Sequence, residues 1–213
     1  AVPEGVLLTS EAFRELGTAA VVGVLRDRAR IPVVVKPVHG GSAQGVTIVR
    51  RLEELPGALV HAFSYGDEVV VERAVVGTEI AVGVIDLGDG ARALPAVEIE
   101  PVDGDYGFEA RYTAGMTRFY TPARLDDGAA AAAAALAELA HRTLGLRDLS
   151  RIDVIVDADG APWFLEANVM PGLTETSLLP QALASAGLDL GETYATLARR
   201  AMERGSAARP TGR

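Results

Sequence analysis

The segment from Arg151 to Asn168 constrains the fold more than any other part of this chain. Two stretches of strand length flank an Asp-Gly pair at positions 159 and 160, and such a pair is the strongest short signal for a β-hairpin. Side chains alternate between the faces of a strand, so Arg151 and Asp153 share one face of the first strand. A two-residue turn at the Asp-Gly pair then places Asp153 opposite Glu166 and Arg151 opposite Asn168.

Two acids at this position of a hairpin indicate either a metal site or a pair of solvated charges. Directly opposed side chains have Cβ atoms about 5 Å apart, and two carboxylates at that distance repel each other unless a cation lies between them. The oxygen ligands of Asp153, Glu166 and Asn168 suit Mg²⁺ better than zinc or copper. The alternative is a surface hairpin in which Arg151 neutralises Asp153. We favour the metal site, because Asn168 leads directly into a turn that a plain hairpin does not need.

A second candidate site begins at Lys36, the only lysine among the 20 Lys and Arg residues of the chain. It ends the apolar run Val33–Val35 and precedes a glycine-rich segment at 40–45, which is where the phosphates of a nucleotide would lie. The segment is neither a Walker P-loop, since no Gly-Lys-Ser/Thr follows, nor a Rossmann fingerprint. Two alternatives stay open: an ordinary hairpin, and a lysine that survived by chance in an arginine-rich chain.

Two weaker signals also fit a nucleotide-dependent protein. The stretch from Glu72 to Glu79 joins two predicted strands, and such a hinge offers backbone groups to an adenine edge and an acid to ribose hydroxyls. Glutamates beside a turn are, however, usually just solvated. Ser177 opens a predicted helix, and a helix N-terminus with a hydroxyl is a ready site for a carboxylate. The alternative at Ser177 is simple N-capping.

Composition excludes several other classes of function. The formal net charge of −9 argues against a nucleic-acid partner, which usually requires a basic surface. The apolar runs are of strand length, well short of the roughly 20 residues that span a bilayer. The chain has no cysteine, which excludes disulfides and a zinc-thiolate site. Its 3 histidines are too few and too scattered for a metal site built from histidines. We therefore expect a globular, cytoplasmic protein without a membrane partner.

The order of the predicted elements indicates an α+β fold, because strands and helices alternate without a regular βαβ rhythm. Residues 101–127 have no clear pattern and are expected to form a functional loop. Gly145 is placed just after the end of an alanine-rich helix. Strands are expected at Val33–Lys36, Val46–Arg50, Glu68–Glu72, Glu79–Asp86, Arg92–Ile99, Ser150–Val156 and Pro162–Asn168, and helices at about 10–28, 52–63, 129–144, 177–186 and 191–204.

Taken together, the motifs resemble those of the D-alanine–D-alanine ligase family. The resemblance extends from about residue 20 to 203 and rests on five segments: Val33 to Lys36 with the following glycine loop, Val69 to Glu79, Phe108 to Tyr112, Ser150 to Val154, and Leu165 to Thr174. It implies an ATP-grasp fold, in which two α/β lobes with mainly antiparallel sheets sandwich ATP. On this reading, the small lobe spans residues 1–78, the large lobe 79–205 and a disordered tail 206–213.

The resemblance also implies a mechanism. The γ-phosphate of ATP passes to a carboxylate, and the amine of a second amino acid attacks the acyl phosphate to form a peptide bond. Two Mg²⁺ ions, with Mn²⁺ as an alternative, would assist this transfer. Residues implied to bind ATP are Lys36 and Arg111 at the phosphates, Ser42 in the covering loop, Glu72 and the backbone of Arg73, Ala74 and Val75 at the adenine, Glu79 at the ribose, and Leu165.

The remaining implied roles belong to the metal site and the amino-acid site. The metal ligands would be Asp153, Glu166 and Asn168. Arg151 and the Gly172 amide would stabilise the tetrahedral oxyanion, and Lys36 would also count as catalytic. Ser177 and Leu178 would bind the carboxylate of the second amino acid, with Tyr112 beside the nucleophile; D-alanine is the expected substrate and peptidoglycan synthesis the expected process.

The chain departs from the family pattern in several ways. The family usually has Lys at the position of Arg111, Ser at Ala43, a small apolar residue at Gln44 and Gly at Asp148. We also expect the family's N-terminal domain to be missing, so that the chain is a truncated form or the missing part is supplied by a separate polypeptide. A homodimer is the other partner considered. Two alternative functions stay open: an ATP-grasp ligase for other amino acids in secondary metabolism, and a nucleotide-binding module without its own turnover.

Overall fold

The computed structural model describes residues 1–28, 31–102, 113 and 115–207. The chain divides into two compact units. The N-terminal unit comprises Val2–Val76 and Glu100–Arg118, and the C-terminal unit comprises Ala1, Gly77–Ile99 and Phe119–Arg213. The first boundary falls at Val76, close to the predicted end of the small lobe, whereas Glu100–Arg118 groups with the N-terminal unit although the sequence places it in the large lobe.

The N-terminal unit is built on a four-stranded antiparallel sheet with the strand order β1-β4-β2-β3. Its strands are β1 (Gly5–Thr9), β2 (Val33–Pro37), β3 (Thr47–Val49) and β4 (Glu68–Arg73). A helix α1 (Ser10–Arg28), a short 3₁₀ helix (Leu52–Glu54) and helix α2 (Leu55–Phe63) accompany the sheet. Alternate valines of β2 and β4, together with Leu55 and Leu59 of α2, form one buried core.

Two features of this unit were not expected from the sequence. Strand β1 pairs with β4, but its residues are exposed or only half-buried, so the sequence carries no alternating pattern there. Helix α1 is interrupted at Gly17, whose φ of 74° and ψ of 156° are not helical. Glycine is the residue that adopts this positive φ without steric cost, so it allows two helical pieces to follow each other at a kink.

The C-terminal unit is built on a larger sheet with the strand order β10-β9-β5-β7-β8, and β6 pairs with β5. The strands are β5 (Gly77–Ile85), β6 (Arg92–Ala93), β7 (Val97–Pro101), β8 (Thr117–Tyr120), β9 (Leu149–Asp157) and β10 (Pro162–Asn168). Its helices are α3 (Asp127–Thr143), α4 (Leu178–Ser185) and α5 (Leu190–Ala207). None of the helices in the described part of the chain has the length and apolar character to cross a bilayer.

Helices α3 and α4 cover opposite faces of the central strand β5. Ile80, Val82 and Val84 pack with the alanines that α3 presents every fourth residue, whereas Ile85 packs with α4. Strand alternation explains this division, because successive side chains point to opposite faces. Gly83 lies on the α4 side, where a Cβ would approach the Leu179 Cδ1 atom to 2.7 Å, so the absence of a side chain lets the helix pack closely.

Most predicted elements of this unit are confirmed with small shifts at their ends. Helix α3 starts at Asp127 because the Asp126 side chain accepts a hydrogen bond from the Ala129 amide, and Gly145 follows the helix with a φ of 64°, as predicted. The predicted strand at 92–99 is divided into β6 and β7.

Two predictions for the irregular parts of the chain were wrong in part. Thr117–Tyr120 forms strand β8 inside a region predicted to be a loop, and residues 103–112 and 114 of that region lie outside the described residues. Helix α5 continues to Ala207, so Ser206 and Ala207 are helical rather than part of a disordered tail; residues 208–213 are not described.

Replacing Gly77 with Ala is expected to destabilise the protein. A Cβ at Gly77 would lie 2.1 Å from the Val156 carbonyl oxygen of the neighbouring strand β9, and that backbone atom cannot turn away. We expect the free energy of unfolding in urea to fall by about 2–3 kcal/mol. The matched control is Gly57→Ala in helix α2, where a Cβ meets nothing within 4 Å and the change should add about 0.5–1 kcal/mol. Equal stabilities of the two variants would contradict the close approach of β5 and β9.

Candidate functional site

The hairpin of β9 and β10 places the predicted metal ligands opposite each other. Asp153 pairs with Glu166 and Arg151 pairs with Asn168, as predicted. Nearer the turn, however, Phe164 pairs with Val154, and the pairing shifts by one residue between Phe164 and Glu166. A β-bulge at this point therefore restores the pairing that brings Asp153 and Glu166 together.

The turn of this hairpin differs from the predicted two-residue turn. Its loop contains three residues at 158–160, because the Asp157 amide donates to the Ala161 carbonyl oxygen at 3.0 Å. Gly160 has a φ of 79°, and the Asp157 carboxylate accepts bonds from the Asp159 and Ala161 amides and from the Trp163 indole. These side-chain bonds favour the three-residue turn, which ends in a left-handed glycine. The longer turn and the bulge offset each other, so the predicted pairing was correct although the turn was not.

Arg151 and Asp153 form a two-point salt bridge along one face of β9. The Arg151 Nε and Nη2 atoms donate to the two carboxylate oxygens of Asp153 at 2.7 Å and 2.8 Å. The side chains are only 12% and 3% exposed. The alternative raised from the sequence, neutralisation of Asp153 by Arg151, therefore describes this contact. The pair is buried, however, whereas the alternative assumed a solvated surface.

The side chains around this pair offer oxygen atoms, which are the ligands that Mg²⁺ prefers. Glu166 is exposed beside Asp153, and the Asn168 Oδ1 atom accepts a bond from the Met170 amide at 3.0 Å. Carboxylate and amide oxygens each carry a further lone pair, so these bonds do not prevent coordination. Within the described ranges, no three or more His, Asp or Glu residues form a group that could hold a metal; the predicted ligand set has two acids and one amide.

In the N-terminal unit, Lys36 is held by one of its predicted neighbours at the ATP site. The Lys36 Nζ atom lies 2.6 Å from the Glu72 Oε1 atom, and the side chains are 28% and 10% exposed. Strands β2 and β4 are adjacent, which brings the two residues to one side of the sheet. The sequence predicts roles for both residues at ATP but not this salt bridge, because their separation along the chain hides it.

The glycine-rich loop after Lys36 connects β2 and β3, two antiparallel neighbours, so it is also a hairpin connection. The Gln44 amide donates to the Gly41 carbonyl oxygen at 3.1 Å, and Ser42 and Ala43 between them both have a φ of 57°. Left-handed conformations cost about 1–2 kcal/mol for residues other than glycine. A type I′ hairpin turn has a positive φ at both central residues, so this conformation follows from the hairpin, and the covering role of Ser42 stays a prediction.

The hinge predicted to meet adenine already uses part of its backbone. The amides of Arg73 and Ala74 donate to the carbonyl oxygens of Glu4 and Pro32 at 2.9 Å and 3.1 Å. These two amides are therefore already bonded within the N-terminal unit, and the role of this stretch at the adenine stays a prediction. Glu79, predicted at the ribose, lies half-buried in β5 between Ile99 and Ile155 on the neighbouring strands.

The loop between β10 and α4 brings two predicted site residues together. A Cβ at Gly172 would lie 2.5 Å from the Ser177 Oγ atom, so the two residues are in direct contact. The Ser177 amide donates to the Thr174 carbonyl oxygen, and the two hydroxyls lie 2.8 Å apart. Ser177 is the N-cap residue of α4 but makes no side-chain capping bond. Simple capping, the alternative considered for Ser177, therefore does not account for its hydroxyl.

The remaining predicted residues divide into described and undescribed ones. Leu165 lies in β10 at the bulge, and Leu178 is the first residue of α4; both are half-buried. Arg111 and Tyr112 lie outside the described residues, so their predicted roles stay predictions. Sequence reasoning missed Thr174 beside Ser177 and Glu72 as the partner of Lys36. The motif Thr-x-x-Ser before the helix was the available signal for the first of them.

Comparison with known proteins identifies the family. The model of the family "D-ala D-ala ligase C-terminus" matches residues 1–198. The chain belongs to this family. A D-alanine–D-alanine ligase from Bordetella petrii is 38% identical over 87% of this chain and 57% of its own length. The chain thus spans little more than half the length of the curated relatives that it matches.

Solved structures agree with the family assignment. The VanG D-Ala:D-Ser ligase from Enterococcus faecalis has a TM-score of 0.80 and 29% identity, over 92% of this chain and 56% of that one. A D-alanine–D-alanine ligase from Bacillus anthracis complexed with ATP has a TM-score of 0.74 and 25% identity, over 95% of this chain and 60% of that one. These likenesses confirm the resemblance to D-alanine–D-alanine ligases and the α+β ATP-grasp fold class.

Proposed function

We propose that the chain is the ATP-binding and metal-binding part of an ATP-dependent ligase of the D-alanine–D-alanine ligase type. The observation that carries the proposal is the pairing of Asp153 with Glu166 beside the buried Arg151–Asp153 salt bridge, in a chain of this family. A non-catalytic nucleotide-binding module is not favoured, because binding a nucleotide alone would not require a buried arginine beside two carboxylates.

The proposed reaction joins two amino acids in two steps. A carboxylate oxygen of the first amino acid attacks the γ-phosphorus of ATP, and ADP leaves with the electrons of the broken P–O bond. The amine of the second amino acid then attacks the acyl carbon, the tetrahedral oxyanion collapses, and inorganic phosphate leaves while the amine loses a proton. Positioning and charge neutralisation supply most of the rate in such transfers.

The residues of each unit take separate tasks in this proposal. In the N-terminal unit, Lys36 would neutralise phosphate charge while Glu72 holds its ammonium in place. In the C-terminal unit, Arg151 and the Gly172 amide would stabilise the oxyanion, and Ser177 with the start of α4 would bind the carboxylate of the second amino acid. Positive backbone groups at a helix N-terminus favour that carboxylate.

Asp153, Glu166 and Asn168 are the residues that would hold Mg²⁺. The bound ion would offset negative charge on the phosphates as the γ-phosphoryl group is transferred. Arg151 would keep Asp153 oriented, since both of its oxygens already accept bonds from the guanidinium. We propose D-alanine as the substrate at both positions. D-serine is the comparison at the second position, because the VanG relative is named as a D-Ala:D-Ser ligase.

The first test of the proposed function is magnesium-dependent ATP binding, measured by isothermal titration calorimetry with and without Mg²⁺. We expect Mg²⁺ to raise the affinity for ATP by at least about tenfold, which corresponds to about 1.4 kcal/mol. Asp153→Asn should remove most of this dependence. The matched control is Asp159→Asn, which removes the same charge from the exposed turn of the same hairpin and should keep it. Equal ATP affinity with and without Mg²⁺ would contradict the metal assignment.

Ligation is tested by release of phosphate from ATP in the presence of D-alanine. Phosphate release from ATP that depends on added D-alanine would support the proposal. Comparing the rates with D-alanine and with D-serine would define the second amino acid. ATP hydrolysis that is independent of any amino acid would contradict a ligase.

A further inference from the structure

The loop that carries Gly172 and Ser177 is anchored by a residue outside every motif discussed above. The Tyr194 hydroxyl, on helix α5, donates to the Leu173 carbonyl oxygen at 3.0 Å. The other contacts given above for this loop join its own residues, such as the bond from the Ser177 amide to Thr174. The Tyr194 bond is different in kind, because it ties the loop to a helix 21 residues further along the chain.

Tyr194 is well placed to hold the loop, because it is tied to the core of its own unit. It lies half-buried and packs against the core that α4 forms with β5 and β7. Burial raises the pKa of the Tyr194 phenol above its usual value. The hydroxyl therefore stays protonated at neutral pH and remains a donor to the Leu173 carbonyl oxygen.

The other end of α5 is fixed by charge. The Arg204 guanidinium donates to both carboxylate oxygens of Asp148, one of them at 2.9 Å. Arg200, one turn earlier, approaches Asp86 at 3.4 Å and Asp148 at 3.7 Å. Asp148 has a φ of 63°, a conformation that costs energy for a residue with a side chain, and its two-point contact with Arg204 offsets that cost. Helix α5 thus offers Tyr194 a rigid support.

We propose that Tyr194 is a positioning residue, whose hydroxyl holds the Gly172–Ser177 loop in the geometry that binds the carboxylate of the second amino acid. The inference rests on the proposed function of that loop. Removal of the hydroxyl would leave the loop held by its internal bonds and, at its far end, by the Gln181 side chain of α4, which donates to the Thr176 carbonyl oxygen at 3.0 Å. The part of the loop around Gly172 and Leu173 would lose its tie to α5, and the contact between Gly172 and Ser177 would loosen. The loss would affect the second amino acid more than ATP.

The kinetic test is Tyr194→Phe, which removes one oxygen and keeps the packed ring. At saturating ATP we expect the KM for the second D-alanine to rise by about 3- to 10-fold, the effect of one lost hydrogen bond, while the KM for ATP and kcat stay within about twofold. The control is Thr196→Val on the same helix, because the hydroxyl of Thr196 bonds only to Glu192 and Arg199 of α5 among its described contacts. The proposal would be overturned if Tyr194→Phe left the KM for the second D-alanine unchanged, or if it raised the KM for ATP as much as the KM for the second D-alanine.

A second measurement separates this proposal from the proposed function. Hydrogen exchange followed by mass spectrometry, on the protein without substrates, should show amide exchange of the 172–177 loop about 3- to 10-fold faster in Tyr194→Phe than in the wild type or Thr196→Val. The exchange measurement needs no substrate turnover, so it tests the role of Tyr194 even where the chain alone shows no ligase activity, whereas the proposed function is tested separately by MgATP binding. Unchanged exchange of the loop at unchanged melting temperature would overturn the role of Tyr194.

Discussion

Replacing Arg151 with Met is expected to lower the free energy of unfolding by about 3–5 kcal/mol. The Asp153 side chain is 3% exposed, and both of its oxygens accept bonds from Arg151. Met fills a similar volume but leaves this carboxylate buried without a counter-charge. Urea unfolding at neutral pH in the absence of metal measures the effect. Under the proposed function, the same variant should also lose about 10²- to 10³-fold in turnover, the usual effect of removing one oxyanion donor.

Two further variants distinguish the buried charge from the proposed chemistry. Arg151→Lys keeps a positive charge but not the two-point geometry, so it should recover only part of the stability. The double variant Arg151→Met with Asp153→Asn also removes the uncompensated charge of Asp153. It should recover more stability than Arg151→Lys, while it remains inactive. A single Arg151→Met variant as stable as the wild type would contradict the buried salt bridge. Full turnover in that variant would contradict the role of Arg151 at the oxyanion.

The hairpin shows how much of the site local sequence could predict. Alternation placed Arg151 and Asp153 on one face and Glu166 and Asn168 on the facing strand, and the structure confirms both pairs. The turn was wrong, because an aspartate before it accepts two backbone bonds and an indole bond and so favours a longer loop. The predicted pairing survived the wrong turn because a β-bulge shifts the register back by one residue. The sequence gives no signal for that bulge.

Contacts between distant segments were not predictable in the same way. The salt bridge between Lys36 and Glu72 depends on which strands are neighbours, and β4 lies beside β2 although a further strand and two helical segments separate them in sequence. The bond from Tyr194 to Leu173 depends on how α5 packs, and no motif marks it. Strand β1 was missed for a related reason, since an exposed edge strand has no buried face to produce alternation.

The salt bridge of Lys36 changes what is expected of the substitution Lys36→Met. From the sequence, the variant should lose affinity for the phosphates of ATP with its fold unchanged. In the structure, it also leaves Glu72, whose side chain is 10% exposed, without its partner at 2.6 Å. We therefore expect a loss of about 1–3 kcal/mol in unfolding free energy, because a buried acceptor becomes unsatisfied. ATP affinity should fall by about 10- to 100-fold, the effect of one charge-assisted contact to phosphate.

A second substitution separates these two effects. In Lys36→Met with Glu72→Gln, the uncompensated charge is gone, so stability should recover while the affinity for MgATP, measured by calorimetry, stays low. Glu72→Gln alone serves as the reference for affinity, because it changes the same carboxylate and keeps the ammonium. Arg51→Met is the matched control for losing a cation, since the salt bridge between Arg51 and Glu54 is exposed and should affect neither quantity. If the double variant regains both stability and ATP affinity, Lys36 supports the strand pair and does not bind phosphate.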